Sequence, residues 1–243
     1  MDANAVRRQS ARPIRRILCT AAAALLAALA CTASHAQATT SGSIPVAHGT
    51  IAASAPVTYD NRWELYGGLS YMNSTAGPDF IPRMNMGGGE LMGTRWLQTN
   101  HPFLRPGRIG LALDVRGEYG TTPVWPNGPQ YGLHRVLVFQ NMAMGGLQMR
   151  GPKNQFFALN IHVLGGASRG DFSHGTEPAA QPQVVGLYTN RWAPIGAIGT
   201  SLDINLQKKI AVRLQPDLML SHWGDATDTN AAFSMGLIYR FGK

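Results

Sequence analysis

From Arg62 onward the chain alternates apolar residues with small or polar ones at a period of two, in segments broken by turn-forming residues. In "IGLALDVRGEYG", Ile109, Leu111, Leu113, Val115 and Tyr119 share a face with Gly117, and Gly110, Ala112, Asp114, Arg116 and Glu118 share the other. In "WELYGGLSYM", Trp63, Leu65, Leu69 and Tyr71 oppose Glu64, Tyr66, Gly68 and Ser70. Phe157, Leu159, Ile161 and Val163 oppose Asn160 and His162, and Ile198, Leu202, Ile204 and Leu206 oppose Ser201, Asp203 and Asn205. After "QKK", Ile210, Val212, Leu214, Leu218 and Leu220 face away from Arg213, Gln215 and Asp217. Two weaker segments, "GGGELMGTRWL" around Glu90 and "HRVLVFQNMAMGGLQM" from His134 to Met149, join the terminal "FSMGLIYRFGK" to complete eight strands.

Segments of this length suit tilted membrane strands, which need about 9–11 residues. Short links such as "RGPKN" and "QKK" alternate with longer ones at 120–132 and 169–190. The pattern predicts an all-β fold, an eight-stranded antiparallel up-and-down transmembrane β-barrel, with short turns at one rim and long loops at the other. A soluble sandwich or small barrel also alternates, but it turns its apolar face inward. Here the minor faces carry Glu64, Glu90, Asp114, Arg116, Glu118, Asp203, Arg213, Asp217 and Arg240 among Gly, Ala and Ser. An eight-stranded barrel is only just wide enough inside for its side chains. Those charges are therefore expected to pair as a lumen network. Pro216, in mid-strand, lacks a ladder N–H and predicts a local kink, read as a bulge.

The start of the chain changes the setting. Arg7, Arg8, Arg12, Arg15 and Arg16 precede an uncharged apolar run from Ile17 to Ala30, and "SHAQA" supplies a small-x-small cleavage pattern ending at Ala38. This is the layout of a cleaved secretory signal, and its apolar run is too short for a spanning helix. The alternative is a lipoprotein attachment at Cys31, against which Ala stands where Leu is usual. The expected organisation is a signal over 1–38, a flexible lead over 39–60 and a barrel over 61–243. Both cysteines, Cys19 and Cys31, leave with the signal, so the barrel has no disulfide. Five of 21 basic residues and one of 13 acidic residues leave as well, which reduces the net charge from +8 to 16 minus 12, or +4. Nucleic acid is not an implied partner.

The stretches "WELYGGLSYMN", "IGLALDVRGEYG", "AIGTSLDINLQKKIAVRLQPDLMLSHWG" and "NAAFSMGLIYRFGK" resemble, in order and spacing, the OmpA-like or opacity-type outer-membrane β-barrel family. The resemblance covers most of 61–243. It implies the bacterial outer membrane, its lipid and the barrel-assembly machinery as partners, and external ligands or surfaces met through the loops. It also implies a C-terminal signal on the last strand, here Phe233, Met235, Leu237, Tyr239 and Phe241. Gly242 and Lys243 follow that aromatic, where the family's chains generally end on it.

Chemistry is sparse. "LSHWGD" offers Ser221, His222 and Asp225 as a nucleophile, base and orienting acid, and lipid A deacylases are also small barrels. That family places serine two residues after histidine, where Gly224 stands here, and adjacent Ser221 and His222 point to opposite faces of a strand. An interfacial His–Trp pair is the preferred reading. His101, His134, His162 and His174 are dispersed, with no cysteine to assist, so no metal is expected; His162 reads as a lumen hydrogen-bonding group. "GGGE" at 87–90 does not open a helix and is no phosphate loop. No cofactor is expected. The functional expectation is a structural or surface-interaction barrel, with a small porin-like pore and a membrane hydrolase as alternatives.

Overall fold

The computed structural model describes residues 57–78, 82–97, 109–125 and 127–242. The signal segment, most of the lead and His101 lie outside the described residues. The period-two segments form β1 (Trp63–Ser74), β2 (Met84–Trp96), β3 (Ile109–Pro123), β4 (Arg135–Lys153), β5 (Phe157–Asp171), β6 (Arg191–Asn205), β7 (Ile210–Trp223) and β8 (Ala226–Phe241). Each strand pairs antiparallel with the next, and β8 pairs with β1 to close the barrel. Closure leaves no edge strand, so the backbone ladder is satisfied all the way round.

Facing follows from register. At the closing seam Trp63 stands opposite Phe241 and Leu65 opposite Tyr239, while Glu64 stands opposite Arg240. The first two pairs are exposed and the third is buried. A slip of one residue would turn every charge outward. Leu113 is 66% exposed and Leu202 36%, as their parity demands, whereas Asp114 and Asp203 are buried. Phe233, Met235, Leu237, Tyr239 and Phe241 all lie on the outer face.

The strands are longer than the sequence segments suggested, from 12 residues in β1 to 19 in β4. β4 continues past Met149 through "RGPK" because a bulge between Arg150 and Lys153 absorbs one extra residue around Pro152. The link to β5 is then only 154–156. The rims are less uniform than expected. At the rim that carries the ends of the barrel, a long link over 97–108 joins the short ones at 154–156 and 206–209. At the other rim, links over 75–83, 124–134 and 172–190 accompany a two-residue turn at Gly224 and Asp225. Gly224 has φ 69, a backbone region open to glycine at the first position of a tight hairpin.

Pro216 does not mark a bulge. It pairs with Phe233 in unbroken register on the β8 side. On the β6 side, Gly199 opposite Asp217 and Leu202 opposite Leu214 keep the same register, with pairing absent only between them. The missing N–H opens the ladder locally without inserting a residue.

The lumen is packed with more than small residues and charges. Met72, Met84, Met86, Met92, Met142, Met144 and Met219 all turn inward and are buried. Methionine's flexible, unbranched chain fits the uneven space between polar groups. Inner-face glycines make room where the barrel coils tightly. At Gly236 a Cβ would strike the backbone of Gly67 and Gly68 across the seam, and at Gly68 it would strike the Tyr66 hydroxyl, which lies over that glycine to donate to Ser234 Oγ at 3.0 Å.

Gly236→Val is therefore expected to destabilise the barrel by about 1–3 kcal/mol, the usual range for overpacking. Gly87→Ala, at an outward position with open space around it, is expected to be near neutral. Urea unfolding midpoints of the two variants check the contrast; equal midpoints would contradict the packing described here.

Candidate functional site: the lumen and its lids

Two buried ion-pair clusters occupy the barrel interior. The lower one lies toward the rim with the chain ends. Arg213 forks onto Asp203, with Nε donating to Oδ1 at 2.7 Å and Nη2 to Oδ2 at 3.1 Å. The two residues are cross-strand partners on β7 and β6, so the fork needs little reach. Glu64 accepts from Arg150 Nη2 at 2.5 Å and Arg240 Nε at 3.2 Å, and its other oxygen faces Arg213 Nη2 at 3.5 Å. Asn160 Nδ2 donates to Asp203 at 3.0 Å. The guanidinium of Arg213 lies over the Tyr66 ring and that of Arg150 over Trp96, at 5.6 and 3.8 Å from the centroids.

The upper cluster centres on Arg116. Its Nε donates to Asp114 at 2.8 Å, and its Nη2 donates to Asp217 at 2.5 Å and lies 3.2 Å from Glu90. Gln215 Nε2 donates to Glu90 at 2.8 Å. His162 Nε2 meets Asp217 Oδ1 at 2.8 Å, although β6 runs between their strands. Gly199 is the β6 residue paired with both, and a Cβ there would collide with the Asp217 carboxylate and the His162 ring. The absent side chain lets this pair reach across a strand.

Of the charged residues read from the sequence, the structure brings Glu64, Asp203, Arg213 and Arg240 together in one cluster and Glu90, Asp114, Arg116 and Asp217 in the other. Glu118 joins neither. Arg116 pairs with Asp114 and forms no salt bridge with Glu118. Glu118 is 3% exposed, has the Ser70 hydroxyl beside its carboxylate and forms no salt bridge among the described residues. Arg150 was missed because the visible alternation ends at Met149. Its inward parity with Gln148 would have placed it had the strand been carried through "RGPK".

Each mouth of the barrel is covered. At the lower mouth the chain ahead of β1 folds across the opening, so the end of the lead is not free. Tyr59, with φ 54, is buried. Its hydroxyl donates to Asn154 O at 2.8 Å and accepts from Asn205 Nδ2 at 2.5 Å, and its ring lies 5.2, 5.0 and 4.9 Å from the cationic groups of Arg150, Arg240 and Lys153. Burial pushes the Tyr59 hydroxyl pKa up, against the opposing pull of its Asn205 hydrogen bond and Arg240. Asn61 Nδ2 donates to Glu64 at 3.2 Å and ties the same segment to the lower cluster.

At the upper mouth Phe172, Tyr188 and Trp223 form an aromatic lid. Phe172 meets Trp223 edge-on at 5.4 Å and Tyr188 stacks on Trp223 at 6.1 Å. The 172–190 link carries two of these rings and is anchored by Tyr188 N donating to Ala76 O at 2.9 Å and by Asn190 Oδ1 accepting from Phe172 N at 2.6 Å. This corrects the reading of "HW" as an interfacial pair: Trp223 is 2% exposed and points inward. His222 alone faces out, with Nδ1 2.8 Å from Thr227 Oγ1. Ser221 lies on the inner face, accepting from Trp223 Nε1 and Asn230 Nδ2 at 3.1 Å each, on the side of the sheet opposite the imidazole.

Removing one partner of a buried ion pair costs about 3–5 kcal/mol because the other charge is left uncompensated. Arg116→Ala and Arg213→Ala are each expected to lose stability on that scale. Glu118→Gln, which removes a buried charge that forms no salt bridge among the described residues, is expected to be neutral or stabilising. Equilibrium unfolding in urea measures all three, and a Glu118→Gln loss as large as that of Arg213→Ala would overturn the pairing.

No family model and no curated protein matches the sequence. Among solved structures, the chain is similar to Ail, the attachment invasion locus protein of Yersinia pestis, in complex with the heparin analogue sucrose octasulfate, at 15% identity over 74% of this chain and 99% of that chain, with TM-score 0.44. It is similar to Neisserial surface protein A at 7% identity over 74% of this chain and 97% of that chain, with TM-score 0.47. The outer membrane protein OprG from Pseudomonas aeruginosa gives 10% identity over 79% of this chain and 99% of that chain, with TM-score 0.46. Identities this low name no family for the chain.

Proposed function

We propose that the protein is an outer-membrane β-barrel of the OmpA-like, opacity-type kind, with a structural or surface-interaction role. The observation that carries this reading is the outer surface. Its middle is an almost unbroken apolar belt: on β3 it runs from Ile109 through Leu111, Leu113 and Val115 to Tyr119. Ten residues at about 3.3 Å each, tilted by about 40°, span roughly 25 Å, the height of the lipid-facing band of such barrels. Aromatic residues edge it at both levels, with Trp63, Phe157, Tyr239 and Phe241 toward one rim and Tyr71, Tyr119, Trp192 and Phe233 toward the other. An exposed apolar surface that encircles the molecule has no counterpart on a soluble monomer.

In this reading the chain ends face the periplasm and the links at 75–83, 124–134 and 172–190 face outside, while the terminal strand with Phe233 to Phe241 is presented to the barrel-assembly machinery. The paired lumen charges and the two lids favour a plugged barrel over a porin-like channel. The placement of Ser221 and His222 on opposite faces gives no support to a hydrolase.

Cell fractionation with heat-modifiable gel mobility tests the reading: the protein is expected in the outer-membrane fraction, with folded and boiled forms migrating differently. Leu113→Arg is expected to weaken insertion by about 2–4 kcal/mol if the site lies near the midplane. A soluble protein of unchanged mobility, a Leu113→Arg variant that inserts normally, or a large steady conductance in planar bilayers would each count against the proposal.

A further inference from the structure

The two rims of the barrel differ in charge. At the rim with the chain ends, Arg62, Arg95, Lys153, Lys208 and Lys209 are exposed, and Asp60 is the one exposed carboxylate there among the described residues. At the opposite rim, Arg83, Arg135, Arg169 and Arg191 are balanced among the described residues by Asp171, Glu177, Asp225 and Asp228. The basic residues at the first rim are spread around it, at the entry to β1, the end of β2, the end of β4 and the β6–β7 turn. They sit beside the aromatic edge of the apolar belt. The Arg95 guanidinium lies 5.4 Å from the Trp63 ring centroid, and Lys153 is followed by exposed Phe156 and Phe157.

We infer that this rim is a binding surface for the headgroups of anionic glycerophospholipids in the leaflet it touches. The inference rests on the membrane reading above and adds to it a lipid preference and a side. Long basic chains rooted at an apolar boundary extend along it to place their charge at headgroup level. The aromatic rings beside them fix that level. A cation held there attracts an anionic surface, an effect screened by salt. The opposite rim, with carboxylates interspersed among its arginines, lacks the unbalanced field that such a preference requires.

Quenching of tryptophan fluorescence by brominated lipids measures the preference directly on the refolded full-length barrel in vesicles. Brominated phosphatidylglycerol is expected to compete against brominated phosphatidylcholine by about fivefold or more at low salt, the factor that one well-placed basic residue supplies. The preference is expected to fall in high salt and in the variant K208Q/K209Q, whose changes lie at exposed positions in the β6–β7 turn. It is expected to persist in R135Q/R169Q at the other rim. Equal quenching by both lipids in the wild type, or loss of the preference only in R135Q/R169Q, overturns the inference while leaving the barrel in its membrane. Quenching by neither lipid, with no heat-modifiable band, overturns the membrane reading itself.

Discussion

Eight strands closed into a barrel enclose a space that side chains fill and little else. Any charge that parity sends inward is therefore removed from water and needs a partner within reach. The interior follows from this constraint. Arginine supplies the cations of both clusters, and its planar fork can satisfy several carboxylate oxygens at once, as Arg213 does on Asp203 and Arg116 does between Asp114 and Asp217. Glycine appears where a partner has to be reached across a strand, as at Gly199, or where a hydroxyl lies over the backbone, as at Gly68 beneath the Tyr66 OH. Methionine takes up the volume that remains.

The same constraint inverts the molecule. With much of the interior given over to ion pairs, amides and methionines, most of the strand leucines turn to the outer face. Leu69, Leu91, Leu113 and Leu237 are all more than half exposed. The backbone permits this surface to meet lipid because closure leaves no unpaired strand edge. Ladder closure, inward polarity and outward apolarity are thus consequences of one another, and the period-two alternation in the sequence encodes all of them.

That alternation is why the fold was legible. Facing, strand number and strand order could be read wherever Leu, Ile, Val or an aromatic alternated with a charge or a small residue, and Leu113 against Asp114 is the plainest instance. Reading failed where residue type and facing part company. Methionine is apolar yet turns inward at Met86, Met92 and Met144, so the weak alternation of β2 and β4 concealed how the lumen is filled. Trp223 suggests an interface by type but sits inside by parity. Pro216 suggested a bulge, whereas the register is shifted at Pro152, inside a stretch that resembled a turn. Tyr59 belongs to no periodic segment, and its burial depends on cations from β4 and β8 that sequence spacing cannot bring together.

The two mouths are closed by different chemistry, and this divides the labour among the connections. The lower mouth is closed by a phenol ring resting on the cations of the lower cluster, so that lid and charge network share Arg150 and Arg240. The upper mouth is closed by aromatic packing, and the 172–190 link is held to it through Phe172, Tyr188 and Asn190. That link is part of the barrel's packing as much as of its surface. The 124–134 link is divided: Val124 is buried in the same apolar cluster as the lid rings, with Leu133 packed against it, whereas the rings of Trp125 and Tyr131 are exposed, at 70% and 39%. In the proposed orientation, variation at Trp125 or Tyr131 changes what the outside meets without disturbing either lid, whereas variation at Val124, Phe172 or Tyr188 reaches the packing over the lumen.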